Sequence, residues 1–196
     1  MTEYSAIILA GGESKRMGQK KSTLLLQGKT FIEIIIDKLI DIGISEILIS
    51  GYEYDLEKYT DTGCVLKTVK DIYEKKGPLA GIHAGLEAAA HNSVLIVTED
   101  APLVPIDFMK QLMQEHEEND SSITVTRSGD RLQPLLGIYD KSLISECDDI
   151  LQGDKATVRA LIDRVGCSEV TFDGDEILIR GCNTPEEYEL LRKHLS

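Results

Sequence analysis

The chain lacks long hydrophobic runs. No apolar stretch in its 196 residues approaches the length of roughly 18 residues that a membrane-spanning helix needs. The amino terminus, Met-Thr-Glu-Tyr, also lacks the basic segment that opens a secretory signal peptide. Together these absences predict a cytoplasmic protein with no membrane partner.

Paired cysteine motifs are missing as well. The four cysteines are far apart in sequence, without a Cys-x-x-Cys pair or neighbouring histidines: Cys64, Cys147, Cys167 and Cys182. This spacing argues against a zinc site, and a cytoplasmic location argues against disulfides. We therefore expect most of these thiols to be small buried apolar residues.

Positive charge is scarce. The sequence has 21 Lys and Arg against 34 Asp and Glu, which gives a net charge of −13. Non-specific nucleic-acid binding needs a broad basic surface, so a nucleic-acid partner is not expected. The cations are instead concentrated at residues 15–21 and again at 67–76, where a locally positive cleft could attract a small anionic ligand.

Short apolar runs alternate with amphipathic segments along a chain that is 42% hydrophobic. The pattern predicts a single α/β domain over residues 1–196, a Rossmann-like three-layer sandwich with a mostly parallel central sheet. Predicted strands are Ala6–Leu9, Glu46–Ser50, Val65–Val69, Val94–Thr98, Ile123–Thr126 and Leu135–Tyr139, with a later hairpin of Val170–Phe172 and Ile177–Ile179. Predicted helices are Phe31–Ile42, Leu79–Ala90, Phe108–Glu118, Leu143–Leu151, Thr157–Val165 and Pro185–His194.

A glycine-rich, basic segment follows the first predicted strand. Residues 9–21 read Leu-Ala-Gly-Gly-Glu-Ser-Lys-Arg-Met-Gly-Gln-Lys-Lys. Glycines let backbone amides approach a phosphate and form an anion-binding nest. The spacing fits neither the Gly-x-Gly-x-x-Gly dinucleotide motif nor a P-loop. An ordinary loop with solvated lysines is the alternative, which the position after a buried strand disfavours.

Two aspartates follow other predicted strands. Asp71 comes after Val65–Val69 and Asp100 after Val94–Thr98. Ligands of open parallel sheets bind outside the carboxyl ends of the strands, so both should lie near the glycine-rich segment. A carboxylate at Asp100 suits Mg²⁺ bound by one or two protein groups together with phosphate oxygens. The alternative is a turn aspartate that accepts hydrogen bonds from its own backbone.

Residues 9–21 resemble the LAGGxSxRMGxDK signature of the molybdenum cofactor guanylyltransferase family of nucleotidyltransferases. The resemblance implies that the backbone of Leu9, Ala10, Gly11 and Gly12 meets the nucleotide and that Lys21 reaches its phosphates. Lys20 replaces the family's aspartate; it is either a second phosphate cation or solvent-exposed.

Two further motifs match this family. Asp100-Ala101-Pro102 is similar to the family's D-x-P motif, which implies that Asp100 is the metal ligand. Residues 77–82, Gly-Pro-Leu-Ala-Gly-Ile, resemble the GPLAG segment, which implies nucleotide contacts for Asp71, Gly77 and Gly81. Close packing of a helix on the sheet is a second interpretation of Gly81, compatible with the first.

Weaker matches lie in the second half. Residues 133–137, Gln-Pro-Leu-Leu-Gly, resemble the family's QPLxGL strand, which puts Gln133 on the acceptor side. Residues 183–187, Asn-Thr-Pro-Glu-Glu, resemble its NxNTPEE ending, with Gly181 in place of the first asparagine. Asn183 is thus a weak acceptor-side candidate, because Thr-Pro-Glu-Glu is also an ordinary helix start.

The resemblance implies transfer of GMP from GTP to a molybdopterin-type molybdenum cofactor with release of pyrophosphate. Residues 1–100 would form the nucleotide-binding part and 101–196 the acceptor-side part. Arg16, Lys21 and Asp100 would be catalytic, with Mg²⁺ as cofactor and transient contacts to molybdoenzymes or cofactor-delivery proteins. Two alternatives stay open: a sister nucleotidyltransferase that uses CTP or another nucleotide on a different phosphorylated acceptor, and a non-catalytic nucleotide- or cofactor-binding protein.

Overall fold

The structure is a computed structural model that describes residues 3–10, 24–51 and 55–194. The strands within these ranges are β1 (Tyr4–Leu9), β2 (Leu25–Leu26), β3 (Lys29–Thr30), β4 (Glu46–Ser50), β5 (Val65–Val69), β6 (Ser93–Thr98), β7 (Ile123–Ser128), β8 (Arg131–Asp140) and β9 (Ser168–Thr171). The α-helices are α1 (Phe31–Asp41), α2 (Pro78–Ala88), α3 (Ile106–Glu117), α4 (Ile144–Gln152), α5 (Val158–Val165) and α6 (Pro185–His194).

Seven strands form one sheet in the order β5-β4-β1-β6-β8-β7-β9. Strands β5, β4, β1 and β6 are parallel to one another, and β9 is parallel to β7. Strand β8 is antiparallel to both β6 and β7, so it is the strand of this sheet that runs against the others. The predicted α/β sandwich with a mostly parallel sheet is confirmed.

Hydrophobic side chains cover both faces of the sheet. In β1 the neighbours Ile7 and Ile8 are each completely buried, but they belong to clusters on opposite faces, as the alternation of side chains along a strand requires. Helices α1 and α3 contribute to the cluster that contains Ile8, and α2, α4 and α5 to the one that contains Ile7. The result is the three-layer arrangement.

The predicted hairpin of Val170–Phe172 and Ile177–Ile179 is wrong. Strand β9 pairs in parallel with β7, and Glu176–Leu178 is a 3₁₀ turn. The Asp175 carboxylate accepts a hydrogen bond from the Ile177 amide, which favours a helical turn over an extended strand. Apolar residues near Asp173-Gly174 thus indicated the wrong pairing.

A short hairpin of β2 and β3 was not predicted. Its turn consists of Gln27 and Gly28, both with positive φ, which is the backbone that a two-residue type I′ turn requires. Thr30 ends the hairpin and caps α1 in a reciprocal capping box with Glu33.

Cysteine burial follows the expectation in part. Cys147 and Cys182 are buried, whereas Cys64 and Cys167 are half-buried, and all four thiols are free. Burial raises the pKa of the Cys147 thiol to about 12, so it stays protonated and unreactive.

In the described part of the chain, no helix combines the length and apolar character needed to cross a bilayer.

Candidate active site

The carboxyl ends of β1, β4 and β6 meet at one edge of the sheet. The Ala10 amide donates to the Ser50 carbonyl at 2.7 Å, and the Glu99 amide donates to the Leu9 carbonyl at 3.1 Å. Three strand ends are therefore joined directly by backbone hydrogen bonds. Gly11, Gly12, Arg16 and Lys21 follow from this edge in sequence, but they lie outside the described residues and their predicted roles stay predictions.

Ser50, at the end of β4, connects the residues predicted to bind the nucleotide. Its buried hydroxyl donates to Asp71 Oδ1 at 3.0 Å. A Cβ at Gly81 would lie 2.7 Å from Ser50 Oγ and 2.9 Å from Leu9 Cδ2, so α2 can approach the strand ends here because Gly81 has no side chain. We call Leu9, Ser50, Asp71 and Gly81 the nucleotide side of the site.

The loop that carries Asp71 ends at the start of α2. Gly77 has φ 70° and precedes Pro78 at the first helical position, which is a favourable place for proline. The first amides of a helix lack intrahelical acceptors and can bind anions. Gly77 is therefore the residue at which the loop after Asp71 turns into α2, and the predicted nucleotide contacts of Asp71, Gly77 and Gly81 stay predictions.

Asp100 follows β6 at the same edge. The Thr98 hydroxyl donates to Asp100 Oδ1 at 2.7 Å, which orients the carboxylate. The Cys182 amide donates to the Asp100 carbonyl at 2.8 Å, and a Cβ at Gly181 would lie 2.7–2.9 Å from the carboxylate atoms. We call Asp100, Gly181 and the residues between β6 and α3 the metal side of the site, because Asp100 is the predicted metal ligand.

Lys38 in α1 supports the segment after Asp100. Its Nζ donates to the carbonyl oxygens of Pro102 and Val104 at 2.8 and 2.9 Å. Burial lowers the pKa of Lys38 to about 8, since removal from water disfavours the charged amine. Both carbonyls of this turn thereby accept a hydrogen bond from Lys38.

The structure places the two weaker acceptor-side candidates, Asn183 and Gln133, differently. Asn183 Nδ2 donates to the carbonyl of Gly181 at 3.2 Å. Gly181 is the glycine that lies against the Asp100 carboxylate. Thr184 and Glu187 cap α6 reciprocally, as a helix start predicts. Gln133 pairs with Thr126 near the beginning of β8, which antiparallel pairing places beyond the carboxyl end of β6. The structure groups Asn183 with the metal side but does not group Gln133 with either side.

Sequence reasoning missed Ser50 and Lys38. Ser50 is a small polar residue at the end of an apolar strand and precedes Gly51, a position that could have marked it as a partner for a neighbouring loop. Lys38 lies in an amphipathic helix, where a lysine normally indicates a solvated face. Its burial depends on a turn 64 residues later in the chain, so no local signal could have found it.

The donor set at Asp100 fits a magnesium ion that shares its ligands with a substrate. Within residues 3–10, 24–51 and 55–194, no cluster of three or more His, Cys, Asp or Glu side chains is arranged to hold a metal. Mg²⁺ commonly uses one or two carboxylates and takes its other oxygens from phosphates and water. The oriented Asp100 carboxylate can serve as such a ligand.

Comparison with known proteins decides the family. The MobA-like NTP transferase domain matches residues 6–169. The chain belongs to this family. It is an enzyme of the nucleotidyltransferase class, and the resemblance seen in the sequence motifs is confirmed.

Relatives and solved structures agree with this assignment. The probable molybdenum cofactor guanylyltransferase of Peptoclostridium acidaminophilum is 32% identical over 93% of this chain and 86% of its own length. Molybdopterin-guanine dinucleotide biosynthesis protein A of Archaeoglobus fulgidus has a similar fold, with a TM-score of 0.79 and 21% identity over 97% of this chain and 98% of its own. A manganese complex of a Mycobacterium tuberculosis protein also matches, with a TM-score of 0.68 and 18% identity over 98% of both chains.

Proposed function

We propose that this nucleotidyltransferase transfers GMP from GTP to a molybdopterin-type molybdenum cofactor, forming the guanine dinucleotide cofactor and releasing pyrophosphate. The choice of substrates is supported by the relative from Peptoclostridium acidaminophilum, whose name states this activity and which matches most of this chain. The geometric observation that carries the proposal is the position of Asp100, at the same strand-end edge as Asp71 and Gly81.

The two sides of the site would divide the reaction between them. GTP would bind along the nucleotide side, with its base near Leu9, Gly77 and Gly81 and its phosphates directed toward Asp100. The acceptor would enter from the side of Gly181 and Asn183. Holding both substrates at one edge makes the transfer effectively unimolecular, which removes much of the entropic barrier.

The reaction itself needs little covalent chemistry from the protein. An acceptor phosphate oxygen attacks the α-phosphorus of GTP in line, the bond to the β-phosphate oxygen breaks, and pyrophosphate leaves. A phosphate nucleophile is already ionised at neutral pH, so no general base is required. Arg16 and Lys21 would stabilise the charge that builds on the phosphates.

Asp100 would hold the catalytic Mg²⁺, with Thr98 fixing the orientation of the carboxylate. Such an ion stabilises negative charge on the phosphoryl oxygens. The manganese complex of the structural neighbour from Mycobacterium tuberculosis supports a divalent metal on this fold. Lys38 would keep the segment after Asp100 in place through Pro102 and Val104.

Preference for guanine would come from backbone groups near Leu9–Gly12 and Gly77–Gly81. Guanine offers donors at N1 and N2 and an acceptor at O6, whereas cytosine is smaller and has the reverse polarity. ATP would be excluded because its amino group would meet a donor. A site built around hydrogen bonds can reject a mismatched analogue by roughly 10⁴ or more, because buried polar groups lose their partners.

A panel of nucleotides tests the proposal. The melting temperature would be measured with GTP, CTP, ATP or UTP in the presence of Mg²⁺, followed by turnover with the molybdenum cofactor as acceptor. We expect GTP to give the largest stabilisation and the highest kcat/KM. Comparable values with CTP would favour a sister nucleotidyltransferase, which the departures at Lys20 and Gly181 keep as the second candidate. Binding without turnover would indicate a carrier protein.

A further inference from the structure

The loop between β5 and α2, residues 70–77, has a backbone that needs support. Lys75 has φ 60° and Gly77 has φ 70°, so two positions within three residues adopt the left-handed region, which is costly for a lysine. We call residues 70–77 the nucleotide loop because it contains Asp71 and ends at Gly77. Its conformation persists only where neighbouring elements hold it.

One end of the nucleotide loop is fixed at the nucleotide side itself, where Ser50 donates to Asp71. The middle of the loop is fixed by a different part of the chain. The Tyr73 hydroxyl donates to Asp148 Oδ1 at 2.8 Å, and Lys76 Nζ donates to the Gly153 carbonyl at 3.0 Å. Asp148 belongs to α4 and Gly153 caps its end, so both partners come from the second half of the protein.

His83 of α2 lies against the same carboxylate. It is 2% exposed, and its Nε2 is 3.0 Å from Asp148 Oδ1, the oxygen that Tyr73 contacts. The two atoms are at ion-pair distance without hydrogen-bond alignment, so within the described residues neither ring nitrogen of His83 has a hydrogen-bond partner. The rings of Tyr73 and His83 pack edge to face, with centroids 5.4 Å apart.

Asp148 therefore lies where the nucleotide loop, α2 and α4 meet. Its hydrogen bond raises the pKa of Tyr73 above the ordinary value for a tyrosine, because donation to a carboxylate favours the protonated hydroxyl. Tyr73 thus remains a donor throughout the neutral pH range. The contact joins the loop to α4 without involving Asp100, Gly181 or any other residue of the metal side.

We infer that Tyr73 and Asp148 are positioning residues that keep the nucleotide loop in its nucleotide-binding conformation. The buried ring of His83 packs against both of them. This inference rests on the proposed function, since it assigns the loop to the nucleotide. When the contact is broken, a smaller fraction of molecules has the competent loop, and the apparent Kd rises in inverse proportion to that fraction. Once nucleotide is bound, the loop is in place and the chemical step is unaffected.

The test compares three variants with a matched control. Tyr73→Phe removes the hydroxyl but keeps the ring against His83, and Asp148→Ala removes the acceptor. Asp148→Asn removes the charge but keeps a carbonyl oxygen as acceptor. The control is Asp149→Ala, at the next position of α4. The exposed carboxylate of Asp149 pairs with Arg164, and its removal changes the net charge by the same amount as Asp148→Ala.

The measurements are the Kd for GTP with Mg²⁺ by titration calorimetry and the steady-state KM and kcat. We expect Tyr73→Phe and Asp148→Ala to raise both Kd and KM by about fivefold to tenfold, the size expected for the net contribution of one ordinary hydrogen bond. Their kcat should stay within about twofold of wild type, and Asp148→Asn and Asp149→Ala should bind GTP as the wild type does.

Equal Kd values for wild type, Tyr73→Phe and Asp148→Ala would overturn the inference while leaving the proposed function intact. A fall in kcat with an unchanged KM would overturn it as well. The proposed function fails separately if wild-type protein itself binds none of GTP, CTP, ATP or UTP. Melting temperatures of all variants show whether a loss of binding follows from loss of fold. Tyr73→Phe removes only one hydroxyl, so it tests the inference even if Asp148→Ala does not fold.

Discussion

The nucleotide side and the metal side of the site lie at the same edge of the sheet but are assembled differently. Leu9, Ser50, Asp71 and Gly81 all come from the first 81 residues, and each lies at or just after a strand end or in the helix that follows. Asp100 instead lies against Gly181 from a distant part of the chain, and the segment that follows it is held by Lys38 of α1. The nucleotide side is therefore a product of the repeating β–α units, whereas the metal side depends on how the last third of the chain packs.

This difference has a consequence for how each side responds to change. Under the proposed function, a substitution on the nucleotide side would remove one of several contacts to the nucleotide, so it should mainly weaken binding. A substitution on the metal side would displace or remove the carboxylate that is proposed to hold the metal for the chemical step. We expect KM effects from the first and kcat effects from the second.

The largest effect should come from Asp100→Asn, which replaces the proposed metal ligand by a neutral amide of the same size. We expect kcat to fall by about 10³-fold or more, because the charge on the transferred phosphoryl group loses its stabilisation. The fold should remain, as judged by circular dichroism and melting temperature. Asp61→Asn, an exposed change near the beginning of β5, is the control, and turnover near wild type in Asp100→Asn would refute the assignment.

A smaller kcat effect should follow from Gly181→Ala. The new methyl group would lie 2.7–2.9 Å from the Asp100 carboxylate atoms, so the carboxylate must turn and the hydrogen bond from Thr98 is strained. Misplacement of this size costs about 10²-fold at most. Single-turnover rates at saturating GTP measure it; an unchanged rate would show that the segment before α6 moves aside without affecting Asp100.

Ser50→Ala tests the nucleotide side. Loss of the hydroxyl leaves Asp71 without the donor that orients it, and we expect KM for GTP to rise by about threefold to tenfold with little change in kcat. Ser45→Ala, an exposed change just before the other end of β4, is the matched control. A loss confined to kcat would contradict the division between the two sides.

The smallest effect concerns the contribution of Lys38 to the free energy of unfolding, which should depend on pH. Its pKa is about 8 in the folded protein against an ordinary value of 10.5. Between these values the unfolded chain binds more protons than the folded chain, so the contribution of Lys38 to the free energy of unfolding increases as pH rises. Urea unfolding of wild type and Lys38→Met should therefore diverge from pH 8 to 10.5, with exposed Lys110→Met as control. A constant difference would indicate that Lys38 is not buried as described.

Much of the nucleotide side could be predicted from sequence because its signals are local. Asp71 follows the exposed edge strand β5 and Asp100 follows the buried strand β6, and parallel strands must end at the same edge. Gly81 could be placed because small residues in α2 indicated close packing on the sheet, and the structure shows it against Leu9 and Ser50. The glycine-rich segment was found by its motif.

The remaining partners carry no such signal. Lys38 and Asp148 are charged residues on helices, where solvent exposure is the ordinary expectation. Asp148 contacts Tyr73 from 75 residues away and Lys38 contacts Pro102 from 64 residues away. The predicted hairpin after Val170 failed for a related reason, since the strand there pairs with β7, more than 40 residues earlier.

The α/β alternation, the strand ends that define the candidate site and the family to which the motifs belong can all be recognised in the amino-acid sequence. These follow from short-range patterns, because apolar periodicity and turn residues act within a few positions of the chain. The contact of Gly181 with Asp100, the partial burial of Lys38 and the support of the nucleotide loop by α4 arise only in the tertiary structure. Those contacts join segments that are distant in sequence, and their pairing depends on how the whole core packs rather than on any local preference.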